Sequence, residues 1–177
     1  MRIIAGKHRG RVLAQFCGNN VRPTSDRVKE SLFQILSFRL PDARVLDLFC
    51  GSGALGLEAI SRGAREAVFN DISADSLAIC KKNLAALRER GIVQNSDYRT
   101  CLARAQGKFD LIFSDPPYAM DICKEVLGEI ARRDLLADDG LVVWESEREE
   151  LSPEGWTAAD RRSYGRTKIV LFARDNS

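Results

Sequence analysis

The chain of 177 residues is poor in the residue types that staple small proteins. It has one histidine, His8, and five cysteines that lie 21 or more residues apart (Cys17, Cys50, Cys80, Cys101, Cys123). No CxxC pair occurs, so neither a zinc site nor a disulfide framework is expected, and the thiols read as small, reduced hydrophobes. No stretch approaches the ~18 apolar residues of a membrane helix. The opening Met1-Arg-Ile-Ile-Ala-Gly-Lys has no signal-peptide core, which points to the cytoplasm. Repeats and low-complexity segments are absent. What is there, 45% apolar and 29% charged residues, suits a single globular domain that needs no staples.

The net charge of +2 argues against a strongly basic protein, but it averages two unlike parts. Residues 1–44 hold nine Lys/Arg against three Asp/Glu; residues 45–177 hold eighteen against twenty-two. A basic extension, residues 1–44, on a mildly acidic body, residues 45–177, is the expected organisation. In the extension, short strands around Ile3-Ile4 and Val12-Leu13 flank the turn-prone Gly6–Gly10. A helix capped by Thr24 or Ser25 follows, with Val28, Leu32, Ile35 and Leu36 on one face, and Pro41 ends it.

From Val45 the pattern alternates strand and helix. Strands are expected at Val45–Phe49, Ala67–Asn70, Ile92-Val93, Leu111–Ser114, Leu141–Trp144 and Ile169–Ala173. Helices are expected at Leu55–Ser61, from a Ser73 cap to Gly91, and over 121–134. Residues 145–162 are polar and carry no clear periodicity. Alternation of this kind predicts an α/β fold with a mainly parallel sheet covered on both faces.

Gly51-Ser52-Gly53-Ala-Leu-Gly56 is a GxGxxG loop between a strand and a helix. Such a loop admits a ligand close to the backbone. Asp71 ends the next strand, where a carboxylate can accept both ribose hydroxyls of an adenosine cofactor. NAD and S-adenosylmethionine (SAM) both offer that ribose. Asp47, four residues before Gly51, would repel a pyrophosphate and attract an ammonium or sulfonium, which favours SAM. It can equally serve by accepting loop amides.

Asp115-Pro116-Pro117-Tyr118 follows a buried strand, at the edge where open α/β sheets bind ligands. The prolines fix the directions of the Asp side chain and carbonyls. Oxygen acceptors there can orient an exocyclic amine towards a methyl donor, and Tyr118 can stack on an extruded base. The plain alternative is a rigid turn. Cys50 in the loop has no Pro-Cys motif, which argues against a covalent cysteine route.

Together, Asp47-Leu-Phe-Cys-Gly-Ser-Gly, Asp71 and Asp115-Pro-Pro-Tyr resemble the Rossmann-like SAM-dependent methyltransferases that act on exocyclic amines. Met1-Arg-Ile-Ile-Ala-Gly, Arg9-Gly-Arg-Val-Leu, Arg22-Pro-Thr-Ser-Asp-Arg-Val-Lys-Glu-Ser-Leu-Phe and Tyr164-Gly-Arg-Thr narrow the resemblance to the RsmD family, bacterial 16S rRNA guanine-N2 methyltransferases. The resemblance implies a seven-stranded, mostly parallel sheet with its last strand antiparallel. It implies methyl transfer to one guanine of the small ribosomal subunit or an assembly intermediate, by a monomer without a metal. It assigns catalysis to Asp115, Pro116, Pro117 and Tyr118. It assigns the cofactor to Asp47, Gly51, Ser52, Gly53 and Asp71, with Asp97 reading the adenine amine. Asp71 stands where the family usually has Glu. Candidate RNA contacts are Lys7, Arg9, Arg11, Arg22, Arg27 and Lys29; Arg22 and Lys29 can instead brace the helix. Three other readings share parts of the pattern: an N6-adenine methyltransferase, a protein-glutamine methyltransferase (whose tetrapeptide starts with Asn) and an NAD-dependent oxidoreductase.

Overall fold

The computed structural model describes residues 1–16, 26–117 and 120–175. Its sheet comprises β1 (Arg44–Asp47), β2 (Glu66–Asp71), β3 (Ile92–Asn95), β4 (Phe109–Ser114), β5 (Leu136–Ser146), β6 (Trp156–Tyr164) and β7 (Thr167–Arg174). The spatial order is β3-β2-β1-β4-β5-β7-β6. Strands β1 to β5 pair in parallel, and β7 runs antiparallel to both β5 and β6. This is the sheet the resemblance implies. The helices are α1 (Asp26–Ile35), α2 (Ala54–Ser61), α3 (Ala74–Leu87), α4 (Tyr98–Arg104) and α5 (Cys123–Arg132).

Strand side chains alternate between two cores. Val45, Leu111, Phe113, Val143 and Ile169 join α1, α2 and α3 on one face. Leu46, Ile112, Val142, Trp144 and Val170 join α4 and α5 on the other. Burial on both faces explains why these strands read as apolar runs. The chain steps outward from β1 to β3 and then returns to β4, so the strand order reverses between β1 and β4. Ligands of open α/β sheets bind at the carboxyl ends of such a pair.

Several boundaries differ from expectation. α4 lies in a stretch where no helix was expected. β6 occupies the polar span after Glu145, as an edge strand whose one strand partner among the described residues is β7. β5 extends at both ends of the expected Leu141–Trp144, past a register shift against β4. α3 ends earlier than Gly91: Arg88, at φ 55°, supplies the left-handed cap. Gly91 serves packing instead, since a Cβ there would lie 2.6 Å from the Phe69 ring. Thr24 and Ser25, the expected caps of α1, lie outside the described residues.

In the arm, Ile3 and Gly10 exchange backbone bonds with Arg11 and Ile3, and the pairing amounts to one bridge, Arg2 with Val12. Ile3 and Leu13 belong to the same core as β1 and β4. The described arm residues Ile3 and Leu13 thus pack into the core of the sheet.

Candidate active site

The glycine loop leaves β1 at Asp47 and enters α2 at Ala54. Gly51 and Gly53 adopt φ of 53° and 82°, conformations that penalise a side chain. Gly56 lies inside α2, where a Cβ would sit 2.4 Å from the Phe69 ring of β2. The third glycine therefore permits close helix–strand contact. Asp71 ends β2 and accepts the amides of Gly51 at 2.9 Å and Ser73 at 2.8 Å. It thereby ties the loop to the head of α3. Asn83, buried on α3, donates to the Ser52 carbonyl and the Ala14 carbonyl, each at 3.0 Å. Its own oxygen accepts the Ala14 amide at 2.7 Å. One side chain thus joins the amino-terminal arm to the glycine loop.

Asp47 is buried and accepts the Gly56 amide at 3.0 Å. Burial pushes its carboxyl up to about 7; the Gly56 bond opposes this and Asp71 adds to it. Accepting a loop amide was one of the two roles open to Asp47, and it leaves an acid that a neighbouring cation would ionise. Asp97 sits just beyond β3 as the N-cap of α4, with its oxygens on the Thr100 amide (3.0 Å) and hydroxyl (2.7 Å). Those bonds hold its carboxyl below the usual range. Its structural task is thus the helix cap, which any adenine contact would have to share.

Asp115 follows the last residue of β4, on the same sheet face as Asp47. The register pairs Ser114 with Trp144, which sets Asp115 level with Glu145 on β5. Asp115 is half-buried and Glu145 buried. Burial first, then Glu145, then Asp47 raise the Asp115 carboxyl well above its ordinary value. Pro116 is buried, Pro117 is exposed, and the Pro117 carbonyl accepts the Met120 amide at 2.9 Å. Tyr118 lies outside the described residues. Glu145 was missed in the sequence; the signal was its place directly after an apolar strand, one step beyond Trp144. The Cys50 thiol is pushed far up by its bond with Cys80 and by burial, so it is not a nucleophile at neutral pH.

The basic candidates separate. α2 and α3 run back against the strands, so their carboxyl ends lie at the amino-terminal edge of the sheet, opposite Asp115. Lys7 is there: its amide donates to the Ser61 carbonyl and its ammonium pairs with Glu89 at 2.7 Å. Arg11 reaches the Ala86 carbonyl, and Arg9 is exposed on the intervening turn. Arg27 is exposed in the first turn of α1. Lys29 corrects the expectation of an RNA contact. It is buried, 3.2 Å from Glu58, and donates to the Arg2 carbonyl, so its ammonium is spent inside the fold. That is the bracing role. Arg22 lies outside the described residues. Glu58, also missed, accepts the Ile4 and Ala5 amides and Arg62 besides Lys29. A lone acid in the otherwise apolar run of α2 was the available signal.

The family model described as Conserved hypothetical protein 95 matches residues 1–173, arm and sheet together. The chain belongs to this family, the RsmD family. Within it, "Ribosomal RNA small subunit methyltransferase D" of Escherichia coli (strain K12) is 36% identical, over 99% of this chain and 90% of that one. The Haemophilus influenzae protein of the same name is 34% identical, over 97% and 93%. The solved structure of yhhF from Escherichia coli superposes with a TM-score of 0.89 at 36% identity, covering 99% of this chain and 98% of that one. RsmD-family membership thus spans the arm, the glycine loop and the Asp115 tetrapeptide alike.

Proposed function

We propose that this protein transfers the methyl group of SAM to the exocyclic N2 of one guanine in 16S rRNA. We infer that it works as a cytoplasmic monomer on the small ribosomal subunit or an assembly intermediate. The observation that carries the chemistry is the placing of Asp47 with its glycine loop and Asp115 with its two prolines on either side of the β1/β4 switch point. The names of the relatives support rRNA as substrate.

Gly51, Ser52 and Gly53 would admit the cofactor to the backbone, with Asp71 at the ribose, Asp97 at the adenine and Asp47 at the cationic methionine end. The cofactor supplies an electrophilic methyl group on a sulfonium. A cation beside Asp47 and Asp115 lowers both raised carboxyls, favouring the anionic, accepting form. Asp115 would accept a hydrogen bond from the N2 amine, direct its lone pair and take the proton released as the N–C bond forms and the S–CH3 bond breaks, the sulfur leaving as a neutral thioether. Pro116 and Pro117 hold that carboxylate in place, and Tyr118 would stack on the base. Most of the acceleration comes from positioning.

The test offers labelled SAM to unmodified small subunits, naked rRNA and DNA, followed by nucleoside analysis. N2-methylguanosine from the ribosomal substrate is expected. N6-methyladenosine, or no label in any substrate, would overturn the proposal. Among the described residues no helix is long and apolar enough to cross a membrane.

A further inference from the structure

Lys7, Arg9 and Arg11 lie near the edge of the sheet opposite Asp115. A different basic element stands at the target edge. β7 enters the sheet antiparallel, so Lys168 pairs with Ser146 at the carboxyl end of β5, one step beyond Glu145. Lys168 also faces Ser163 of β6, and the turn at Gly165-Arg166 therefore rises from the same edge as Asp115. Arg162 and Arg166 have side chains 49% and 74% exposed, and Lys168 is half-exposed.

The hairpin is held towards the target face. The Tyr164 hydroxyl bonds to Ser31 of α1, whose Phe33 ring packs 5.5 Å from Phe113 of β4. Between them runs an open groove lined by Arg27, Glu30, Ser31, Gln34, Ile35 and Arg162. Two guanidinium groups from different elements thus share one groove. The acids beside them are Glu30 in the groove, Asp160 at 2.8 Å from Arg162 and Glu147 at 3.1 Å from Arg166, the last two with side chains only 25% and 28% exposed. Each pair thus leaves the guanidinium as its more exposed member, and a guanidinium can take a phosphate in bidentate fashion.

We propose that the β6–β7 hairpin, through Arg162 and Arg166, forms with Arg27 a wall that grips the RNA phosphates flanking the target nucleotide; Lys168, bonded to Ser163, faces the other side of the sheet. The wall positions the strand, and the pocket at Asp115 reads and modifies the base. This inference rests on the rRNA reading above.

The experiment compares wild type, a hairpin variant that also carries the α1 change (Arg27→Ala/Arg162→Ala/Arg166→Ala), and a control of equal charge, Arg65→Ala/Arg90→Ala/Arg104→Ala. Each receives labelled SAM and unmodified small subunits over a range of salt. The hairpin variant should raise KM for subunits about 10-fold or more with kcat nearly unchanged. Its salt dependence should lose a slope of about 2, as expected for three single-strand phosphate contacts. SAM affinity by calorimetry should stay at the wild-type value in both variants. An unchanged KM in the hairpin variant overturns the proposal, as does an equal rise in the control, which would reveal a net-charge effect. If wild type itself fails to label subunits, the rRNA reading falls first and the wall falls with it.

Discussion

Glu58 on α2 and Asp47 at the end of β1 are carboxylates eleven residues apart, both removed from solvent, and the fold treats them in opposite ways. Glu58 receives two backbone amides, a guanidinium and an ammonium. Asp47 accepts the Gly56 amide, while Asp71 and Asp115 add like charge beside it. A buried carboxylate with cations and donors around it is a finished structural lock. A buried carboxyl among other carboxyls stays short of positive charge, and its raised pKa records that shortage. The same comparison separates Lys29, a cation consumed at the lock, from a cationic ligand that the target edge would accept. Lys29 itself is lowered by burial more than Glu58 raises it.

The comparison breaks first at Asp115. Asp115→Asn should reduce methyl transfer about 10²–10⁴-fold, the span typical of a positioned acid–base group. SAM binding should survive, and urea stability should hold or rise, since a strained acid has been removed. Turnover near wild type would end the catalytic assignment. Next is Glu58→Ala, which strands Lys29 and two amides and should cost about 3–5 kcal/mol in urea unfolding. Lys29→Met combined with Glu58→Leu should recover most of that loss. A double variant no better than Glu58→Ala would mean that the lock contributes more than charge pairing.

Asp47 gives a pH effect of similar or smaller size. Burial pushes its carboxyl up to about 7 from the ordinary 3.8, so the native state holds the proton longer than the unfolded chain does. Stability from this group is therefore greatest below pH ~4 and declines as pH rises to ~7, by up to about 4 kcal/mol. Asp47→Asn should flatten that decline in urea midpoints. SAM affinity runs the other way: it should strengthen as pH rises through 7, because the anion attracts the cation. A pH-independent affinity in the wild type would count against Asp47 as the cationic contact. The smallest effect belongs to Asn83→Ala, which should cost about 1–3 kcal/mol. It should weaken SAM binding several-fold through the released Ser52 carbonyl, with kcat at saturating SAM retained.

Legibility in the sequence followed local signal strength. The Ser73 cap of α3, the apolar β4 and the glycine loop announce themselves within a few residues, and all appear. β6 did not, because it is an edge strand that leaves Arg161 to Ser163 to solvent and whose inward positions, Ala158 and Asp160, are not large apolar residues that would mark the alternation. α4 is seven residues long, too short for a helical stripe, and its cap, Asp97, had already been read as a ligand contact. At the site, motif residues were visible, whereas Glu145 and Asn83 depend on register and on contacts 31 to 69 residues away. The charge asymmetry was real as arithmetic. Its meaning was not local, because part of the arm's positive charge serves folding.

The long span of the arm's contacts sets a timetable for synthesis. Ile4 waits for Glu58, 54 residues later, and His8 for Glu89, 81 residues later. At about 5–20 residues per second, the first segment to leave the ribosome stays undocked for roughly 3–16 s. During that interval Ile3 and Leu13 lack the α2 and α3 side chains that complete their core, and the arm reaches its full set of contacts only once α3 is made.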